Sequence, residues 1–284
     1  MKQGGRLATQ FGFFVLQNPL LKNLIEGRIY QGELKKICSP GLNCYSCPAA
    51  VVSCPIGATQ MFLAGARQNI SLYVAGFLLA AGMVFGRFIC GFVCPMGLLQ
   101  DLTYRIKTPK LVVRLRFLRY LKYVVLVVFV IVLPLTIRNE LSGQGQPWFC
   151  KAICPSGMLL GAIPLLTVKE TLMRFTGTQF VIKCVITAGI VVTSVFVFRF
   201  FCRVICPLGA IYSLMNKFAV LSMRCDKSRC VSCGRCAAAC HIRIKPSKQP
   251  NSPECVRCGK CVNACGSKAL YYSTECVPRR QEAE

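Results

Sequence analysis

Cysteine is the residue through which this chain can do chemistry. The 284-residue sequence holds 21 of them, and most fall into spaced groups. Near the C-terminus the order is Cys230-x2-Cys233-x2-Cys236-x3-Cys240, then Cys255-x2-Cys258-x2-Cys261-x3-Cys265. Thiolates at this spacing hold cubane iron–sulfur clusters. Three cysteines at x2 intervals wrap a tight loop around one cubane, and the fourth reaches the other. The rule places Cys230, Cys233, Cys236 and Cys265 on one [4Fe–4S] cluster, and Cys255, Cys258, Cys261 and Cys240 on a second, with iron as the metal throughout. Structural zinc would take two separated C-x2-C pairs or add histidines, and the one histidine is His241. The proline that often follows the fourth cysteine is His241 in the first run and Gly266 in the second. That changes the loop and not the ligands. Cys240-His241 lacks the C-x2-C-H spacing of a c-type haem site, so no haem is expected. A bound cubane exchanges one electron at a time, and the remaining chain must set where electrons come from and go.

The elements that carry these thiols read as membrane helices. Hydrophobic residues make up 54% of the chain, above the usual share for a soluble domain. Three runs, Ile70 to Ile89, Leu118 to Ile137 and Phe180 to Phe198, are long enough for a bilayer core of about 30 Å. Phe11 to Ile25, with Pro19, is a weaker crossing. Pro155 to Val168 reaches only about 21 Å as a helix, the length of a re-entrant segment. No A-x-A-like site follows the first apolar segment, so it is expected to be retained.

The membrane part is written twice. Cys54-Pro55-Ile56-Gly57 precedes the 70–89 run, which ends in Arg87-Phe88 and Cys90-x3-Cys94-Pro95-Met96-Gly97. Cys154-Pro155-Ser156-Gly157 precedes the 180–198 run, which ends in Arg199-Phe200 and Cys202-x3-Cys206-Pro207-Leu208-Gly209. The 118–137 run joins the two copies, which a pseudo-two-fold along the membrane normal would relate. A third [4Fe–4S] cluster on Cys90, Cys94, Cys202 and Cys206 is expected. Each proline starts a helix where its missing N–H costs nothing. Arg87 and Arg199 would offset cluster charge or touch lipid headgroups. On the other face, six cysteines compete for four places. A symmetric set is Cys47, Cys54, Cys150 and Cys154, and a local set is Cys38, Cys44, Cys47 and Cys54; disulfides or a dithiol relay are the alternatives in an oxidising compartment. Cys184 reads as a packing residue, and Cys225 and Cys276 have no spacing partner.

Formal net charge is +25, but its placement argues against nucleic acid. Arg105, Lys107, Lys110, Arg114, Arg116, Arg119 and Lys122 crowd between two apolar runs beside Asp101, as in a short cytoplasmic loop. No aromatic-interleaved basic patch lies elsewhere. The N-terminus, Cys90, Cys94, Cys202, Cys206 and the C-terminal module are then cytoplasmic, while Cys150 and Cys154 face outward.

With these motifs in place, the chain resembles the NapH/NosR-type family of membrane polyferredoxins. The likeness rests on the C-x3-C-P motifs at 90–95 and 202–207 and the paired runs at 230–265, and covers about 70–265. The CSPGLNCYSCP…SCPIGA segment at 38–58 is similar to a sub-group found among anaerobes. The resemblance implies a membrane-bound electron-transfer subunit. NapH-like members take electrons from quinol; NosR-like members add an outer FMN-binding domain, unmatched in this sequence, so flavin is expected only on a partner.

The expected fold is mainly α: a polytopic membrane bundle with an internal repeat of a short re-entrant plus a spanning helix, and a C-terminal two-cluster ferredoxin-like α+β module. The units are 1–37, a membrane segment with basic lead-in; 38–110, repeat 1; 111–149, the connecting helix; 150–221, repeat 2; and 222–284, the ferredoxin-type module. The expected function is transfer of electrons across the inner (cytoplasmic) membrane, in a multi-pass protein touching lipid. The donor is an acidic ferredoxin- or flavodoxin-like protein, because 222–276 has ten Lys/Arg against three Asp/Glu. The acceptor is an extracytoplasmic redox partner, FMN-binding or a reductase. The alternative is a quinol dehydrogenase subunit feeding an outer reductase, with only Glu26, Glu33, Glu140 and Glu170 as acids near the spans. A third reading gives the clusters a purely structural role.

Overall fold

The computed structural model describes residues 3–65, 71–111, 117–138, 144–169, 171 and 176–274. Lys2, Ile70, Arg114, Arg116, Glu140, Glu170, Glu275 and Cys276 lie outside them. The protein is mainly helical, with one small sheet among the described residues.

Prolines set where the helices that frame the thiols begin. Pro55–Leu63, Pro95–Thr103 and Pro207–Met215 each start on a proline that directly follows an extended cysteine, Cys54, Cys94 or Cys206. Proline's fixed φ suits the first turn and its missing N–H was unpaired there anyway. Each of these cysteines is therefore held at a helix entrance, beside free backbone N–H groups.

Two helices, Leu118–Thr136 and Thr178–Phe196, are long and apolar enough to cross a membrane. Their apolar side chains point outward: Val181, Val185 and Val192 are 59%, 67% and 57% exposed. Leu118–Thr136 winds as a π-helix over Leu126–Val132, which loosens the turn ahead of Pro134. The helix of the apolar run at 70–89 ends earlier than the sequence suggests. It spans Ser71–Phe85, and Gly86 ends it at φ 52°, a conformation that strains residues with a Cβ. The N-terminal helix Gln3–Gln17 packs against Phe88–Phe92 and Pro95–Thr103, where Gln10 donates to the Gly91 carbonyl at 2.9 Å. One apolar core embraces Leu42, Ile56, Ile89, Phe149, Phe201 and Tyr212 together with Cys38, Cys54, Cys90, Cys94, Cys154, Cys202 and Cys206.

The C-terminal module is closed by an antiparallel pair, Ser222–Cys225 with Leu270–Ser273, in the register Ser222↔Ser273 to Cys225↔Leu270. Between them, Gly234 and Gly259 at φ 72° and 77° turn the chain into the short helices Arg235–Ala238 and Lys260–Asn263.

Candidate functional site

The two x2-x2-x3 runs fold around two cavities. Cys230, Cys233, Cys236 and Cys265 line the first. Cys240, Cys255, Cys258 and Cys261 line the second, with Phe198 and Met223. These are the groupings expected from spacing, with one addition. Cys225, which has no spacing partner in the sequence, sits on the wall of the first cavity and hydrogen-bonds with Cys230. The strand pairing that carries it there is long-range, so local spacing could not reveal it. The first cavity is the outlying one: Cys233 is exposed and Val231 is 72% exposed. The second is internal, with Cys255 and Cys261 buried. Beside it the His241 ring packs on Phe198 and Tyr104 and accepts from the Lys260 ammonium. Burial first, then Lys260, pushes the His241 pKa down to about 4, so it is neutral at pH 7.

Cys90, Cys94, Cys202 and Cys206 are all buried and interact electrostatically with one another. The C-x3-C turns of both repeats thus meet in one place. Cys202 Sγ accepts from Gln100 Nε2 at 3.0 Å, Cys94 Sγ from the Leu42 amide at 3.4 Å and Cys206 Sγ from the Gly209 amide at 3.4 Å. Such N–H donors favour sulfur carrying negative charge.

Arg87 and Arg199 flank this set, and both are fully buried. Of the two roles expected for them, contact with lipid headgroups is therefore overturned for both. Each crosses to the opposite repeat: Arg87 Nη2 donates to the Cys202 carbonyl at 2.8 Å and Arg199 Nη1 to the Cys90 carbonyl at 2.6 Å. Each also has a carboxylate. Asp101 receives Arg199 Nε at 2.9 Å and also pairs with Arg6 at 3.1 Å, and Glu254 receives Arg87 at 3.2 Å and Lys122 at 2.7 Å. Burying charge this deeply is tolerable only because each is paired.

The other set gathers Cys54, Cys150 and Cys154, and the fourth thiol that joins them is Cys44. Cys47, the expected symmetric member, instead turns its thiol toward Asn18 Oδ1 at 3.6 Å. Cys38 lies 3.9 Å from Ser53 Oγ. Cys150 Sγ accepts from Gln60 Nε2 at 3.3 Å. Cys184, on the Thr178–Phe196 helix, is partly buried and lies outside these sets.

The four sets adjoin in order, beginning with Cys236 and Cys265 of the first, which pack on the core that holds Cys255 and Cys261 of the second. The loop carrying Cys255 sits on the Cys90 turn so closely that a side chain at Gly91 would come within 2.5 Å of the Val256 carbonyl. Arg257, also fully buried, ties that loop to the Phe85 and Asn216 carbonyls at 2.9 and 2.8 Å. Leu42 then joins the next two sets through its own backbone: its N–H points to Cys94 Sγ, and its C=O takes the Ser156 hydroxyl at 3.2 Å, two residues from Cys154. Asn43 is fully buried with both amide atoms lacking a protein partner. Among the described residues no three His, Cys, Asp or Glu side chains converge as the ligands of a single ion do. Thiols spread around a cavity, with donors aimed at sulfur, suit a multi-iron cluster better than mononuclear zinc with bonds of about 2.3 Å.

A family profile described as a 4Fe–4S binding domain matches residues 70–116 and 182–224, the stretches that contain the two arginine-linked C-x3-C-P motifs. An uncharacterized protein of Methanocaldococcus jannaschii is 31% identical over 177 residues, 61% of this chain and 66% of that one. The methylamine utilization ferredoxin-type protein MauN of Methylorubrum extorquens is 24% identical over 199 residues, 66% of this chain and 60% of its own. The chain thus spans less than two thirds of the length of these curated relatives. No solved structure matches. Together these findings support a likeness to 4Fe–4S-binding, ferredoxin-type proteins.

Proposed function

We propose that the chain carries electrons across a membrane, from an acidic cytoplasmic donor to an extracytoplasmic acceptor. The observation that carries this is the adjacency of the four thiol sets, joined by the shared core of the module, the Val256–Gly91 seat and the Leu42 backbone. Bound [4Fe–4S] clusters would supply one-electron exchange at each set. The membrane setting draws support from the outward apolar faces of the two long helices, which lipid would cover. The sequence likeness to the NapH/NosR type stands within this reading, with the ferredoxin-type module on the cytoplasmic side.

Anaerobically purified protein is expected to hold about sixteen iron and sixteen sulfide per chain, four cubanes of four irons. About eight would confine clusters to the C-terminal module and reduce the rest to an anchor or a quinol site. In proteoliposomes, reduced acidic ferredoxin added outside should reduce an encapsulated, membrane-impermeant acceptor. No passage with sixteen irons present would sink the conduit, and passage driven by quinol alone would favour the dehydrogenase reading.

Donor docking is proposed at the exposed end of the module, where Arg235 lines the first cavity and Lys227, Arg229 and Lys268 neighbour its lining residues in the chain. Arg235→Glu should slow reduction by the acidic donor about tenfold or more at low salt, because rim charge acts on encounter. Variant and parent should converge at high salt. Stopped-flow rates that do not differ at low salt would place the dock elsewhere.

A further inference from the structure

The set around Cys54 repeats the construction of the set around Cys90, feature by feature. In the latter, Gln100, five residues after Pro95, donates to Cys202 Sγ and to the Met96 carbonyl at 3.2 Å, and accepts from the Phe201 amide at 3.1 Å. Gln60, five residues after Pro55, donates to Cys150 Sγ and to the Ile56 carbonyl at 3.3 Å, and accepts from the Phe149 amide at 2.9 Å. One glutamine therefore bridges each pair of repeats in the same way, to a cysteine and to the amide just before it.

The cations repeat as well. Arg199 and Arg87 clamp the carbonyls of Cys90 and Cys202, the first residues of their C-x3-C turns. Lys183 Nζ clamps the carbonyl of Cys150 at 2.8 Å, the first residue of the third such turn. The fourth clamp is Lys35 Nζ on the carbonyl of residue 50 at 2.7 Å. By this pattern residue 50, four before Cys54, should be the fourth cysteine, and it is Ala50, fully buried. Residues 50–53 do not wind into the helical turn seen at Cys90 and Cys202. Cys44 comes in from the preceding loop instead. A side chain at Gly161 would lie 3.3 Å from its sulfur, a tight approach that glycine avoids, and one at Gly157 would reach ordinary contact at 3.8 Å. The amide of neighbouring Asn43 is buried without a protein partner, as a donor facing a cluster would be.

We infer that Cys44, Cys54, Cys150 and Cys154 form a built site for a [4Fe–4S] cluster, in which Cys44 replaces the thiol missing at position 50, and that Cys38 and Cys47 are not ligands. This rests on the cluster-binding reading above and deepens it. Gln60, Lys35 and Lys183 are its positioning residues.

The test is iron and sulfide content, with EPR of the reduced protein, in the full chain carrying Cys44→Ala, Cys47→Ala or Cys38→Ala. Cys44→Ala should lose about four of sixteen irons and one EPR component, while Cys47→Ala and Cys38→Ala keep all. Should Cys44→Ala fail to fold, the inference still falls if Cys47→Ala or Cys38→Ala loses iron. It also falls if Cys44→Ala keeps sixteen, or if the parent holds about twelve and Cys44→Ala leaves that number unchanged. Failure of the conduit is read separately: sixteen irons with a four-iron loss in Cys44→Ala, but no electron passage in proteoliposomes, would leave this ligand set standing and remove the conduit.

Discussion

Asp101→Ala should cost about 3–5 kcal/mol of stability, the usual loss when one partner of a buried ion pair is removed. Asp101 is 4% exposed and receives Arg199, Arg6 and Gln10. Its loss leaves two buried guanidinium groups without a counter-charge. One of them, Arg199, is the clamp on the Cys90 carbonyl, so the damage should reach the thiol set. Unfolding followed in detergent should show the destabilisation, and iron content should fall by about four atoms. Asp101→Asn keeps an acceptor for Gln10 and should show the same loss of charge with less disruption. A cost below about 1 kcal/mol, the range of exposed pairs, would mean that water reaches this cluster of charges.

Asp101 also shows what a sequence does and does not tell. In the sequence it is the lone acid beside a basic loop. Its partners lie at residue 6 and residue 199, and nothing local points to them. The ferredoxin-type groupings were legible because their spacing is local: a loop of x2 intervals brings three thiols together by itself. The meeting of Cys90 and Cys94 with Cys202 and Cys206 was legible through the repeat, since two copies of one motif suggest one shared site. The same logic pointed to Cys47 opposite Cys150 and Cys154, and there the structure brings Cys44 in. The repeat breaks at Ala50, and a substitute thiol from an irregular loop has no period to follow. Gln60 and Gln100 were within reach, because both motifs read C-P-x-G-x2-Q, and the shared glutamine is the signal. The burial of Arg87 and Arg199 was not, because an arginine at the end of an apolar run is as compatible with headgroups as with a carboxylate on a distant loop.

Glu254 is where the C-terminal module and the helical part are joined by charge, and Glu254→Ala should have the second large effect. Its carboxylate holds Arg87 at 3.2 Å and Lys122 at 2.7 Å, while its backbone leads straight into Cys255. Burial pushes its pKa up, but Arg87 and Lys122 outweigh burial and hold it below the ordinary 4.5. A carboxylate with a depressed folded pKa contributes stability that is complete above its unfolded value and fades as pH falls through the folded one. The contact should therefore be intact at neutral pH and weaken only below about pH 4. Removing the side chain abolishes it at every pH, at a cost of about 3–5 kcal/mol, because two buried cations lose their partner. The module carries its own eight cluster thiols and its own sheet, so it should keep its iron. What should fail is the seat of the Val256 carbonyl against Gly91. Reduction of the module by an acidic donor would then proceed at the parental rate while passage through the membrane part drops by an order of magnitude or more, as expected when a rigid spacing is lost. Equal losses at both stages would show that Glu254 acts on the module's own fold. Unchanged passage would show that Arg257, Asn216 and the backbone contacts hold the seat without it.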